Sequence, residues 1–134
     1  MRTILALTLS VLIAVSAVAE EEAEEEEKTT YSYLQLKPSI VTNYGGVGKL
    51  RYFKSDISLR LEEANKQRVT RHTPYIRSVL VSIFSRQDEE SLTTREGKSS
   101  LQQEALEAIQ QILVEEEGEP LVDSVLFTNF IIQK

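Results

Sequence analysis

The sequence has no cysteine and only one histidine in 134 residues. An exported chain can use disulfides, so without cysteine its stability comes from packing or from partners. Metal centres draw on several converging Cys, His or carboxylate ligands. A single histidine, His72, with no thiol to join it, supplies no such set, and it reads as a polar loop or cap residue beside a helix start. Basic residues are also in deficit, with 15 Lys and Arg against 21 Asp and Glu. Nucleic-acid binding and an electrostatic hold on anionic lipid both need clustered cations, so this balance disfavours each.

Catalytic signatures are absent as well. The glycine-rich stretch NYGGVGKL lacks the spacing and the closing Lys-Ser/Thr of a phosphate-binding loop. No serine sits in a nucleophile elbow. Asp56 and Glu62 share one parity of a strand, but a solvated pair on an outer face is the simpler reading. Asp88, Glu89 and Glu90 read as a helix end or loop, and Arg77 and Lys98 as ordinary helix-surface charges. The sequence assigns no catalytic, cofactor-binding or metal residue and points to a non-enzymatic interaction domain.

What is present begins with an apolar stretch. Arg2 is the only charge before Glu20, and Thr3 to Ala19 is dominated by Ile, Leu, Val and Ala. A basic start, an apolar stretch and small residues at a cut site mark a secretory leader. Ala17-Val18-Ala19 places the cut before Glu20. A bilayer core takes about 20 apolar residues, with a lower limit of about 17. The 17 residues Thr3 to Ala19 sit at that limit, so a cleaved leader is favoured over a retained anchor. A third reading is a buried helix of a soluble domain. Loss of Arg2 with the leader leaves 14 of the 15 basic residues against 21 acidic ones. Residues 20–27 hold seven Glu and one Ala. Like charges at that density repel one another and cannot bury apolar area, which predicts a solvated spacer. The expected organisation is a leader or anchor at 1–19, an acidic spacer at 20–30 and one domain at 31–134.

Within that domain, Tyr31, Tyr33 and Leu36 carry the first strand signal. Pro38 belongs at a strand start or edge. Ile40 and Val41 then read as a short strand ending near Asn43, before the turn at Gly45, Gly46 and Gly48. Phe53, Ile57, Leu59 and Leu61 alternate with Lys54, Asp56, Ser58, Arg60 and Glu62, the pattern of a strand with one wet face. Leu50 and Tyr52 lie on the polar parity, predicting a bend or a two-sided strand there. Thr73 and Pro74 suit a helix start. Ile76, Val79, Leu80 and Ile83 make its apolar stripe, which Val81 and Phe84 widen. Thr93 and Glu96 have capping-box spacing for a second helix, lined by Leu101, Ala105, Ala108, Ile109 and Ile112 and broken at VEEEGEP. In LVDSVLFTNFIIQ, apolar residues fall on both parities, predicting a central strand or one covered on both sides. The predicted class is α+β: a small mixed or antiparallel sheet packed against two helices, in the order β-β-α-α-β. Open sheet edges give a reason to expect oligomers.

Four stretches resemble the flagellar basal-body-associated FliL family. They are YSYLQLKPSIVTN, with Leu36, Pro38, Ile40, Val41 and Asn43; LRYFKSDISLRLE; the central helices from His72 to Leu113, with a Leu-x-Thr-x-Glu-Gly-Lys junction at Leu92, Thr94, Glu96, Gly97 and Lys98; and VDSVLFTNFIIQ. The likeness covers residues 31–133. It implies a single-pass inner-membrane protein whose periplasmic domain is similar to the stomatin and prohibitin group. It further implies a non-enzymatic motor accessory without cofactor. Such an accessory assembles into a ring around the stator, near the plug and linker of its B subunit, and supports stator recruitment or the active state in swimming and swarming. Carried onto this chain, the candidate partner contacts are Arg51, Tyr52, Thr94, Glu96 and Lys98. The chain departs from the family at its start, where members carry a cytoplasmic tail and a full-length membrane helix. A membrane-tethered ring of a cleaved, periplasmic form would need another anchor, such as a membrane-bound relative in a mixed ring. The alternative is an exported stomatin-like scaffold or binding module unrelated to the flagellar motor.

Overall fold

The computed structural model describes residues 29–46, 48 and 50–133. The expected leader or anchor and the run Glu20 to Glu27 lie outside the described residues. Strand β1 (Tyr31–Asn43) and strand β2 (Tyr52–Glu62) form an antiparallel hairpin. A 3-10 turn (Glu63–Asn65) and the short helix α1 (Lys66–Thr70) lead into α2 (Thr73–Ser85). A second short helix, α3 (Glu89–Thr93), precedes the long α4 (Arg95–Glu117), and β3 (Val122–Gln133) completes the sheet. The strand order is β1-β2-β3, with β2 in the centre and both pairings antiparallel. This is the expected α+β sheet on two main helices, with two one-turn helices added. Among the described residues, no helix is long and apolar enough to cross a membrane.

Period-two alternation on β2 puts Phe53, Ile57, Leu59 and Leu61 fully inward. Ile76, Leu80, Ile83 and Phe84 of α2, and Leu101, Ala105, Ile109, Ile112 and Leu113 of α4, cover that face. Val81, expected to widen the buried side of α2, is exposed instead. The helix therefore packs on one side only.

The terminal strand departs from expectation in position. β3 is an edge strand, not a central one or one covered on both faces. Its two apolar parities have another cause. Lys54 pairs with Ile131 and Asp56 with Thr128, so β3 spends one more residue than β2 over that interval. Asn129 sits there at φ 50°, in the left-handed region that Asn tolerates better than most residues. This bulge switches the inward parity from odd to even. Phe127 and Phe130 thereby both turn to the core. The chain's four phenylalanines meet in one cluster. Phe53 lies edge-on to Phe84 at 5.0 Å, Phe84 to Phe127 at 5.7 Å, and Phe53 and Phe127 lie 5.0 Å and 6.1 Å from Phe130. Asn129→Val, which resists φ above zero, should cost about 1–2 kcal/mol in urea unfolding, and Asn129→Gly distinctly less. Equal losses would mean that backbone conformation at this bulge is unimportant.

β1 carries a matching irregularity. Leu36 pairs with Ile57 and Ile40 with Ser55, leaving Lys37 to Ser39 as an insertion around a cis Lys37–Pro38 bond. What reads as two signals split by Pro38 is thus one edge strand with a bulge, where a missing donor is tolerated.

Helix ends explain the remaining differences. The capping residue of α4 is Thr94, whose Oγ1 accepts from the Gly97 amide at 3.0 Å, and not Thr93. Asp88, read as a helix end or loop, caps the start of α3 by accepting from the Ser91 amide at 2.8 Å. Thr73 is the first helical residue of α2 and His72 occupies the cap position without a side-chain cap bond. The segment Val114 to Glu117 continues α4, which stops at Gly118 with φ 84°. Arg68 of α1 donates to the Glu117 carbonyl at 3.1 Å and pairs with Glu119, closing that helix end.

Tyr44, in the hairpin turn, is buried, a placement the sequence reading missed. Its hydroxyl has no hydrogen-bond partner among the described residues. A buried unpaired hydroxyl costs about 1–3 kcal/mol. Tyr44→Phe should therefore hold or raise the urea midpoint, whereas a clear drop would reveal a partner for the hydroxyl.

Candidate interaction surface

All the helices lie on one face of the sheet. The other face is built from the polar parity of β2 and its cross-strand partners. Tyr31 and Tyr33 of β1, Val41 farther along it, Tyr52 of β2, and Leu126 and Ile131 of β3 stand there exposed, with Val41 57% and Ile131 55% accessible. Register sets these residues in rows. Val41, Lys54 and Ile131 form one row across the three strands, and Asn43, Tyr52 and Gln133 the next. Between the rows lies a shallow depression of about 150 Å³, lined by Val41, Tyr52, Lys54, Ile131 and Gln133 over Phe53. Contiguous exposed apolar side chains on a polar rim are what interaction sites are made of. Alternation along each single strand hides this patch, because its members are far apart in sequence.

Asp56 fixes the middle of this outer face. Ser39 in the β1 bulge donates to one of its carboxylate oxygens, and Asn129 in the β3 bulge donates to the other at 2.7 Å. One central-strand carboxylate therefore ties both edge irregularities together. The Ser39 and Asn129 bonds, with the charges of Lys54 and Lys37, hold its carboxyl below the ordinary 3.8. Beneath it the buried Ser55 hydroxyl donates to the Thr128 carbonyl at 3.3 Å. A lowered folded-state value means that the stabilisation is complete above the unfolded value and is lost as pH falls through the folded one. Asp56→Asn should therefore be less stable than the parent at neutral pH, with the two converging below about pH 4. A constant gap across an acid titration would show that ionisation of Asp56 does not matter.

The sequence-derived candidates separate into two groups. Arg51 pairs with Glu89 at 3.4 Å, joining the hairpin to α3. Thr94 both caps α4 and donates to the Glu90 carbonyl at 2.9 Å. These two hold local structure. Glu96 is exposed in the first turn of α4. Tyr52 lies on the outer face, and Lys98 sits 4.9 Å above the ring of Phe130. The fold brings Tyr52, Lys98 and the unanticipated Lys54 and Ile131 to the same end of the sheet. Among the described residues there is no group of His, Cys, Asp and Glu suited to holding a metal ion. His72 is half-buried and lies 3.4 Å from Glu117.

Arg77, read as a surface charge, donates to the Pro38 carbonyl at 2.5 Å and ties α2 to the β1 bulge. At the opposite margin α4 covers part of the β3 edge. Gln110 donates to the Val122 carbonyl at 2.8 Å and Gln102 to that of Val125. Both glutamines lie on one side of α4, two turns apart, a pairing no short motif announces.

Residues 33–133 match the family described as flagellar basal body-associated protein FliL. The chain is 35% identical over 96 residues to the flagellar protein FliL of Escherichia coli (strain K12), covering 71% of this chain and 61% of that one. It is 33% identical over 102 residues to the flagellar protein FliL of Aquifex aeolicus (strain VF5), covering 74% and 60%. The alignments thus take in about three-fifths of the length of these relatives. From the first strand to the last, with its sheet, helices and junction accounted for, the chain belongs to the FliL family of flagellar basal body-associated proteins.

Proposed function

We propose that this protein is a non-enzymatic accessory of the flagellar motor that self-associates around the stator on the periplasmic side. There it supports recruitment of the stator or its active state in swimming and swarming. Family membership supplies the flagellar setting. The observation that carries the reading further is the outer sheet face, where Tyr33, Val41, Tyr52 and Ile131 are exposed with no layer over them among the described residues. A one-sided sheet of this kind places a flat, amphipathic surface at the disposal of partners. A collar built from such domains would favour the unplugged, ion-conducting stator by binding that state better than the plugged one. Tyr52 lies at one end of this surface and Lys98 on the helix side of the same end, and the assembled ring would bring the B-subunit plug and linker region past them.

The test is to delete the gene, count fluorescent stator units at the motor, and measure swimming and swarming. Complementation uses the parent chain and a Tyr52→Ala, Ile131→Ser double variant. Fewer engaged stators, restored by the parent and not by the variant, supports the reading. Intact motility and stator counts after deletion would favour a stomatin-like scaffold outside the motor.

A further inference from the structure

The β3 edge is covered along only part of its length. Gln110 and Gln102 occupy the Val122 and Val125 carbonyls. Among the described residues, nothing outside β2 bonds the β3 backbone from Leu126 to Gln133. An open edge is a template for another strand. The side chains around this open half are distinctive. On the outer face Leu126 and Ile131 are exposed, and Lys54 lies directly across from Ile131. On the helix side Lys98 stands over Phe130.

These lysines differ from the paired arginines of the chain. Arg51, Arg60, Arg68, Arg71 and Arg86 each pair with a carboxylate. Lys54 and Lys98 make no ion pair among the described residues. The acid nearest Lys54 on this face, Asp56, is already engaged by Ser39 and Asn129. On a chain of net charge -6, this end of the sheet is a local positive, apolar exception.

We infer that the open half of β3, from Leu126 to Gln133, receives an extended peptide segment of a partner protein as a fourth strand. The segment alternates apolar and acidic residues. Its outward apolar side chains lie against Leu126 and Ile131, and its inward carboxylates meet Lys98. Main-chain hydrogen bonds supply the attachment and the alternate side chains its selectivity. The inference does not depend on the stator reading, because it concerns what the edge accepts and not which protein carries the segment.

The probe is a fluorescent peptide of alternating Val and Glu, with two controls: a Val and Lys peptide, and a Val and Glu peptide methylated at alternate backbone nitrogens. Binding to the full chain is read by anisotropy. The Val and Glu peptide should bind, and both controls should fail. Lys98→Glu should weaken it about fivefold, the scale of an exposed ion pair, while circular dichroism stays unchanged. Isotope-edited amide exchange should show new protection confined to residues 126–133. Equal binding of the methylated peptide would overturn strand addition, and equal binding of the Val and Lys peptide would overturn the acidic selectivity. Vesicles of mixed phosphatidylcholine and phosphatidylglycerol form the last arm. Loss of vesicle binding on Lys54→Glu and Lys98→Glu, with no peptide binding, would assign the patch to lipid and reject the inference.

Discussion

Phe84→Ala should remove about 3–5 kcal/mol of stability, a large share of the usual 5–15 kcal/mol of a domain. Phe84 is fully buried and meets Phe53 and Phe127 edge-on. It is the one ring of the cluster contributed by a helix, so its loss separates α2 from both β2 and β3. The cost combines lost transfer energy with a cavity that three rigid rings cannot fill. Urea unfolding followed by near-ultraviolet and far-ultraviolet signals tests this. A loss below about 1.5 kcal/mol would show that the cluster repacks, contrary to the interlocked geometry. Phe84→Leu should recover much of the difference, because it restores volume without the ring contacts.

Gly97→Ala is the second large effect, and its cause is different. A β-carbon at Gly97 would lie 2.6 Å from both the α-carbon and the carbonyl oxygen of Ser91. Those are main-chain atoms of α3, so relief requires moving one helix against the other. Strain of this kind costs about 1–3 kcal/mol, occasionally more. The same movement would stretch the Thr94 cap, whose acceptor holds the Gly97 amide. Gly118→Ala is the control. Its φ of 84° strains alanine, but nothing lies within 4 Å of the added carbon. Its penalty should stay near 1 kcal/mol. If Gly97→Ala proved no worse than Gly118→Ala in the same urea series, the close approach of α3 and α4 would be wrong.

Much of this architecture is legible in the sequence. Phe53, Ile57, Leu59 and Leu61 fix β2 by simple alternation, and Ile76, Leu80 and Ile83 fix the buried side of α2. Local periodicity succeeds there because each face meets one environment. It fails where pairing partners reshape a strand. Nothing in LVDSVLFTNFIIQ alone tells a doubly covered strand from an edge strand with a bulge at Asn129. The difference lies in the Lys54–Ile131 and Asp56–Thr128 register. Gly97 looks like a mild helix flaw until α3 is seen to cross it. The interaction surface was legible only as fragments. Tyr52 and Lys98 stood out through resemblance, whereas Lys54, Val41 and Ile131 become one patch only when three strands are laid side by side.

The order of strands also bears on how the chain folds. β1 and β2 are joined by a short turn, so their pairing needs little loop closure. β2 and β3 are different: Ile57 meets Phe127 only after the intervening helices have been gathered in. Closing that long loop costs entropy before its contacts repay it. The hairpin and its helices are therefore expected to assemble before β3 docks. Until β3 docks, Phe53 and Phe84 lack two of their ring neighbours. Substitutions in the hairpin should then slow refolding, whereas those at Phe127 and Phe130 should chiefly hasten unfolding.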